Sequence, residues 1–354
     1  MSKISVAVLG ATGMIGQRFV QMLEDHPWFE IEGLYASERS QGKRLGDVLK
    51  VRDHVYLDET MDRRIETMDI KKISENCRIA FSGIPSDLAG PTETELAKAG
   101  VAVFTNAGSH RMDPHVPIII PEVNPGQFDA VKDQPTYGES GGYIVTNANC
   151  SSTGIAAPLH AINQAFGLKQ VFVSTYQALS GAGYPGVPSL DAVGNVVPFI
   201  SHEEEKMETE LAKMLGTYSE GEFRYAPFKV MANCARVPVI DGHLESLVLD
   251  TDAQPSLDEL EACLAGFRGE PQTLGLPSAP DQPIIVRHEE NRPQPVFDAM
   301  AGKPERARGM AVTIGRLRQS NGYYKAFAMS HNTLRGGAGG SVLNAELAKA
   351  KGIL

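Results

Sequence analysis

ISVAVLGATGMIG, residues 4–16, decides the fold. Residues 4–9 form a short apolar run with β-branched members, and Gly10, Gly13 and Gly16 follow at three-residue intervals. A helical stretch comes next, with Phe19, Val20, Met22 and Leu23 on its apolar side, and it stops near His26-Pro27. Strand, glycine-rich turn and helix in that order make a pyrophosphate cradle. Glycine lets the backbone approach the anion, and amides at the helix N-terminus meet its charge. The spacing is G-x-x-G-x-x-G rather than G-x-G-x-x-G, and such turns also occur as plain tight turns. The strand before and the helix after favour a dinucleotide. Thr12, Met14 and Ile15 within the turn, with Ser82 and Gly83 at the end of a later strand, join the candidate cofactor contacts.

Outward from this turn, a second apolar run at 31–36 ends in Ser37-Glu38-Arg39-Ser40. NAD-preferring folds place Asp or Glu there, about 20 residues beyond the glycines, to hold the ribose hydroxyls. The hydroxyls of Ser37 and Ser40 and the guanidinium of Arg39 suit a 2′-phosphate instead, which favours NADP. Glu38, if turned inward, would favour NAD. Further strands are expected at 79–82, 101–105 and 144–146, with a helix over 93–99 between two of them. Strand and helix alternating at this spacing imply a mostly parallel, doubly wound sheet. From residue 171 the texture changes. Strand-like runs at 171–176, 230–239, 244–249, 311–317 and 324–328 recur with little helix between them. Gly/Pro-containing loops at 179–198 and 269–283 separate them, which suits an α+β domain on a mixed or antiparallel sheet. A boundary falls near residue 150. Gly336-Gly337-Ala338-Gly339-Gly340 leads into a helix over 341–351, with Ser341 as its expected N-cap.

The chain has 354 residues, 43 acidic against 33 basic side chains and a formal net charge of −10, which suggests about two domains. Apolar content of 42% and charged content of 21% exclude wholesale disorder. No run approaches the roughly 18 apolar residues of a membrane span, and MSKISVAVLG reads as a strand rather than a secretory leader. Neither a membrane nor a nucleic acid is expected as partner, since phosphate neutralisation along a nucleic acid needs clustered Lys and Arg. A small anionic substrate needs only a few local basic groups. Cys77, Cys150, Cys234 and Cys263 form no C-x-x-C pair, so no metal site is expected and a reduced cytoplasmic protein is the simplest reading.

Cys150 stands apart. Asn147-Ala148-Asn149-Cys150-Ser151-Ser152-Thr153-Gly154 joins the strand at 144–146 to a helical stretch running to about residue 166. The positive end of the helix dipole there is expected to lower the thiol pKa and favour a thiolate nucleophile. Ser151, Ser152 and Thr153 are alternatively a set of helix caps. A thiol nucleophile needs a base, and among nine histidines His243 stands out beside Gly242 at a strand start. Without a thiol nearby it reads as a turn residue. Arg236 and His243 are an odd number of positions apart, so one regular strand would point them to opposite faces. Pro238 and Asp241-Gly242 must break the pleat if both serve one site.

Eight motifs in order run nearly end to end: GATGMIG, SERSQGKRL, NAGSHRMDPHVPIIIPEVN, TNANCSSTG, TYQALSGAG, HEEEKMETE, RVPVIDGHLES and HNTLRGGAGGSVLNAEL. Together they resemble the aspartate-β-semialdehyde dehydrogenase family, in its archaeal and fungal branch. The resemblance implies a Rossmann-type NADP-binding domain over 1–149, completed by a C-terminal helix in 335–354. An α+β catalytic and dimerisation domain would occupy 150–334, in a homodimer or homotetramer. It implies NADP- and phosphate-dependent interconversion of L-aspartate 4-semialdehyde and L-aspartyl 4-phosphate, on the route to lysine, methionine and threonine.

Carried over by residue, Cys150 is similar to the family's acyl-thioester nucleophile and His243 to its acid/base. Arg236 resembles the guanidinium that clamps the substrate α-carboxylate, a bidentate task unsuited to Lys. Glu203 resembles the partner of the substrate ammonium, although Glu204 and Glu205 beside it leave the choice open. Lys206 and Arg111 resemble the phosphate site, Gln177 the residue beside the thioester, and Ser180, Gly181 and Asn332 the nicotinamide-side contacts. Without the resemblance, 203–206 reads as a solvated helix start, Arg111 as a surface residue and 179–183 as a flexible loop. Two other functions remain at this point: malonyl-CoA reductase, with the same cysteine, histidine and cofactor turn, and a non-enzymatic NADP-sensing Rossmann protein.

Overall fold

Two six-stranded sheets, joined by a helix that begins at Cys150, organise the chain; the computed structural model describes residues 2–354. The first sheet contains β1 (Ile4–Leu9), β2 (Phe29–Ala36), β3 (Ile65–Thr67), β4 (Ile79–Ser82), β5 (Ala102–Thr105) and β6 (Tyr143–Thr146). Their order is β3-β2-β1-β4-β5-β6, with every pairing parallel. This is the doubly wound dinucleotide-binding topology, in which ligands collect beyond the carboxyl ends of the strands. Strand β1 is buried along most of its length and β4, β5 and β6 throughout, as strands covered on both faces should be.

The second sheet is mixed. It contains β7 (Leu168–Gln177), β10 (Lys229–Arg236), β11 (His243–Thr251), β12 (Ile284–Arg287), β13 (Val312–Ser320) and β14 (Tyr323–Ser330), in the order β10-β7-β11-β14-β13-β12. A small hairpin, β8 (Thr217–Ser219) and β9 (Glu222–Arg224), lies outside it. Strand β11 alternates buried and half-buried residues without a break from His243 to Thr251, the period-two pattern of a sheet covered on one face. The covering layer includes the helices Cys150–Phe166, Glu203–Met214 and Leu257–Gly266, whose apolar residues share one core with Val171, Val173, Leu247 and Leu249.

Glu203–Met214 and Leu257–Gly266 correct the expectation of little helix after residue 171. Residues 203–206 read as a solvated helix start, yet Glu203 is buried, and so are Glu210 and Lys213 further along the same helix. Strand β3 and the helix Ile70–Asn76 were not expected either, being short and polar at their edges. At the other end, the helix is Gly339–Ala350, preceded by a π-helical turn at Leu334–Ala338. Ser341 therefore lies inside the helix and caps nothing; its hydroxyl accepts from Asn106 Nδ2 at 3.1 Å. Val342, Leu343, Ala345 and Leu347 of this helix pack into the core of the first sheet beside Val6, Phe19 and Phe81. Leu276, Ala279, Ala307 and Met310 enter that same core. Among the described residues no helix is long and apolar enough to cross a membrane.

Candidate active site

The glycine turn is tight enough to exclude side chains. Gly10 adopts φ +80°, and a Cβ there would stand 2.7 Å from the Gly83 carbonyl oxygen; one on Gly16 would stand 2.0 Å from the Gly10 oxygen. The helix Met14–Leu23 starts at Gly13 with no side-chain cap and no acidic residue in its first turn, so its leading amides are open to an anion. Thr12, Met14 and Ile15 keep partial exposure around it. Ser37 and Arg39 are exposed just beyond the end of β2, and Ser40 half so. Arg39 has no hydrogen-bond or ion-pair partner among the described residues. These features fit a dinucleotide. Ser82 departs from the expected contact: it is fully buried and its hydroxyl donates to Glu93 Oε1 at 2.6 Å. Gly83 does border the cradle, through its main chain beside Gly10.

Cys150 is the first residue of its helix. The cap is Asn149, whose Oδ1 accepts from the amides of Ser151 (3.0 Å) and Ser152 (3.2 Å), so the serines are capped residues rather than caps. The Cys150 amide has no protein acceptor among the described residues. Gly336 backs the cysteine so closely that a Cβ would lie 2.9 Å from Cys150 Cβ, and one on Gly337 would lie 3.0 Å from Ile15 Cδ1. The glycine-rich stretch thus packs between the cysteine turn and the turn of residues 10–16. Its partners could not be read from the sequence.

The Cys150 Sγ lies 3.2 Å from His243 Nε2. On the other side of the ring, the Ala178 amide donates to His243 Nδ1 at 3.0 Å. The parity difficulty disappears because Arg236 and His243 lie on separate strands. Arg236 pairs with Gln177 across β10 and β7, and Leu244 pairs with Tyr176 across β11 and β7, which sets His243 level with both. All three side chains are buried, on the face under the helix that begins at Cys150. Arg236 Nη1 donates to the Ala178 carbonyl at 2.7 Å, and the guanidinium has no carboxylate partner among the described residues. Gly181 arches over this group: a Cβ would stand 2.7 Å from Arg236 Nη1 and 3.0 Å from His243 Cε1. Asn332 ties the arch to the histidine turn, donating to Ser180 Oγ and accepting from the Gly242 amide, both at 2.8 Å.

Burial sets the resting charges. It pushes the Cys150 thiol up to about 12, with the Glu203 carboxylate adding to the rise and Arg111 and Arg236 opposing it. It pulls His243 down to about 3, helped by Arg236 and His331. Both shifts run against the low-pKa thiolate expected from the helix start, because desolvation disfavours the charged form of each group and a nearby carboxylate adds to the rise at the thiol.

The helix Glu203–Met214 supplies the remaining charged groups. Glu203 Oε1 accepts from Asn149 Nδ2 (2.6 Å) and Gln177 Nε2 (3.2 Å). Glu204 turns to the edge of β10 and accepts from the Cys234 amide, and Glu205 is exposed. Of the three, only Glu203 reaches the cysteine turn. Glu210, two helical turns on, accepts from Arg111 Nη1 (2.9 Å) and from the Asn149 amide (2.8 Å). Arg111 also donates from Nε to the Asn147 carbonyl (3.0 Å) and from Nη2 to the Asn106 carbonyl (2.9 Å). It is a buried brace of the cysteine turn, with one N–H on each terminal nitrogen left over. Lys206 lies on the same helix face, between Glu203 and Glu210, half-exposed and without a carboxylate partner among the described residues. Lys213 is buried and donates to the carbonyls of Arg111 (2.6 Å) and Val116 (2.8 Å).

Sequence reasoning missed Asn149, Glu210 and the Ala178 main chain. Asn149 was legible as an N-cap preceding a helical run; Glu210 had no signal beyond its seven-residue spacing from Glu203. One cluster with metal-type ligands, Asp53, Asp241 and His331, has ligand atoms within 4.8 Å of one another. Its cation is Arg18, which donates to both Asp53 oxygens (2.7 and 3.0 Å) and to Thr333 Oγ1 (3.0 Å).

The family models that match are "Semialdehyde dehydrogenase, NAD binding domain" over residues 5–131 and "Semialdehyde dehydrogenase, dimerisation domain" over residues 159–335. Aspartate-semialdehyde dehydrogenase of Methanothermobacter thermautotrophicus is 46% identical, covering 97% of this chain and 98% of its own. The enzyme of that name from Aspergillus fumigatus is 40% identical, covering 99% of each. The crystal structure of aspartate semialdehyde dehydrogenase with NADP from Candida albicans superposes with a TM-score of 0.88 at 37% identity, covering all of both chains (100% and 100%). Aspartate semialdehyde dehydrogenase II of Vibrio cholerae, 25% identical over 99% of each chain with a TM-score of 0.77, shares the fold.

Proposed function

The chain belongs to the semialdehyde dehydrogenase family, and we propose that it interconverts L-aspartate 4-semialdehyde and L-aspartyl 4-phosphate, using NADP, phosphate and a Cys150 thioester. The observation that carries this reading is the 3.2 Å contact between Cys150 Sγ and His243 Nε2, beside an Arg236 that lacks a carboxylate. Gly10, Thr12, Gly13, Met14 and Ile15 hold the pyrophosphate, Ser37, Arg39 and Ser40 the 2′-phosphate, and Ser180, Gly181 and Asn332 border the nicotinamide. When bound, NADP takes two electrons and a hydrogen from the substrate carbon.

The protein supplies position and charge. Arg236 grips the α-carboxylate, and Glu203 Oε2, free of protein partners among the described residues, meets the ammonium. Cys150 sulfur adds to the aldehyde carbon, and the oxygen gathers negative charge beside the Cys150 amide and His243 Nε2. Loss of hydrogen from that carbon leaves a thioester. A phosphate oxygen, held by Lys206 and the spare N–H groups of Arg111, attacks the acyl carbon. The C–S bond breaks and Cys150 departs with the electron pair.

Residues 1–149 with 335–354 form the cofactor unit in this reading, and 150–334 the catalytic and dimerisation unit. The chain forms an oligomer, as its dimerisation domain indicates; homodimer or homotetramer is the proposed state. Phe172, Tyr176 and Met231 support it, being exposed on the face of β7 and β10 away from the helices. A cytoplasmic location agrees with four unbridged cysteines.

The deciding experiment follows NADPH formation with aspartate semialdehyde, with and without phosphate, beside NADPH consumption with malonyl-CoA. Phosphate-dependent NADPH formation is expected. Oxidation at equal speed without phosphate, or turnover of malonyl-CoA alone, would overturn the reading.

A further inference from the structure

The polar contacts of His243 fix where its proton sits. A backbone amide can only donate, so the Ala178 N–H at 3.0 Å requires a lone pair on His243 Nδ1. A neutral imidazole that accepts at Nδ1 carries its hydrogen on Nε2, and Nε2 is the atom 3.2 Å from the Cys150 sulfur. An imidazolium would need a hydrogen on Nδ1 as well, aimed into the Ala178 N–H. The donor itself cannot easily turn away. Its residue is fully buried, its carbonyl accepts from Arg236 Nη1 at 2.7 Å, and the following amides of Leu179 and Ser180 donate to the carbonyls of Val239 (2.7 Å) and Ile240 (3.1 Å).

We propose that the Ala178 amide is a positioning group that holds His243 neutral with its proton on Nε2. His243 then serves as a hydrogen-bond donor to the sulfur and afterwards to the aldehyde oxygen, not as the acceptor of the thiol proton. This inference rests on the semialdehyde reading of the site. The thiol proton leaves to water, and the thiolate is stabilised by Nε2–H. As the C–S bond forms, the carbonyl π pair moves to oxygen. The resulting alkoxide is held by Nε2–H and the Cys150 amide without being protonated, which is the form that most readily expels hydrogen with its electron pair. The C=O bond re-forms and the thioester results, with His243 unchanged throughout. The charged and titratable groups around the pair are Arg236 on β10, Glu203 on its helix, Glu245 on β11, Arg111, and His331 after β14. Arg236 and His331 oppose a second proton on His243, and Glu203 and Glu245 oppose the thiolate.

The free protein tests this through the pH dependence of Cys150 alkylation by iodoacetamide, read on the Cys150 peptide by mass. Thiol reactivity follows the thiolate fraction, which changes about tenfold per pH unit. The expected wild-type profile rises steadily with pH; a reactive shoulder below pH ~7 would reveal a thiolate–imidazolium pair and overturn the proposal. Replacing Ala178 by lactic acid exchanges its N–H for an ester oxygen and adds no atoms. The imidazole then gains room for a proton on Nδ1, so an acid shoulder should appear, with alkylation near pH 6 at least ~10-fold faster than in wild type. A superimposable profile would overturn the role of Ala178. If the ester protein does not fold, ¹⁵N spectra of histidine-labelled wild type decide alone, with His243 identified by its loss in His243→Asn. An unprotonated Nδ1 and protonated Nε2 support the proposal, and the reverse overturns it. Neither readout involves turnover, so failure here leaves the assigned reaction standing, and absence of phosphate-dependent turnover would remove that reaction without touching the tautomer.

Discussion

The cofactor cradle draws its working groups from one turn, residues 10–16, and most of them are main-chain amides or missing side chains. The proposed catalytic junction instead gathers Cys150, Gln177, Glu203, Arg236, His243 and Asn332 from separate segments, brought level by strand register and by one charged helix. The first region is specified by adjacency in the chain, the second by topology. A substitution in the cradle should act on cofactor affinity alone. One in the junction should spread, because each side chain there is held by another.

The largest effect tests whether the two regions are separable. Cys150→Ala should abolish turnover and leave NADP affinity, measured by calorimetry, unchanged; a matching loss of NADP binding would mean the regions fold as one. Next in size, His243→Ala should slow the chemical step about 10²–10³-fold in single-turnover experiments, as loss of one donor to a developing oxyanion does, again at constant NADP affinity.

Arg111 and Lys206 divide the junction further. Arg111→Ala strands Glu210 and the carbonyls of Asn106 and Asn147 in the interior, and removing one partner of a buried pair costs about 3–5 kcal/mol. Its urea midpoint should fall and kcat with it. Lys206→Ala breaks no such pair. It should raise the Michaelis constant for phosphate by about 10- to 150-fold, the worth of a charge-assisted hydrogen bond, and leave the urea midpoint in place. Equal destabilisation of the two variants would erase the distinction between brace and ligand. The smallest effect belongs to the cradle side. Arg39→Ala should weaken NADP roughly tenfold, as an exposed charged contact does at the low end of its range, while NAD binding stays the same. Parallel losses would assign Arg39 a structural task.

What could be read from the sequence follows the same division. The glycines at 10, 13 and 16, the flanking strand and helix and the run ending at Ser37 lie next to each other, so their spacing carried the meaning. Cys150 was legible as a helix start and His243 as a strand start, but their 3.2 Å meeting depends on the pairing of three strands, which spacing does not encode. The buried charges were the hardest to read. Glu203, Glu210 and Lys213 look solvated because carboxylates and ammoniums normally are, and their partners, Asn149, Arg111 and the carbonyls of 111 and 116, lie far away in the chain. The thiol was misjudged for a related reason. Position at a helix start is visible in sequence, while the desolvation that opposes it is a property of the assembled cleft.

The helix Gly339–Ala350 has a consequence for how the protein comes into being. Its buried face fills the core of a sheet whose first strand begins at Ile4, and Arg335 just before it makes a two-point pair with Glu122 (2.8 and 2.9 Å). Ribosomes deliver residues in order, so every strand of that sheet is made before the helix that packs into its core. The wedge at Gly336 and Gly337, which presses the cysteine turn against the cofactor turn, also arrives late. Growing chains therefore carry the thiol and the dinucleotide turn long before the two are joined. Synthesis of residues 334–350 is the event that converts a pair of unfinished halves into one working cleft.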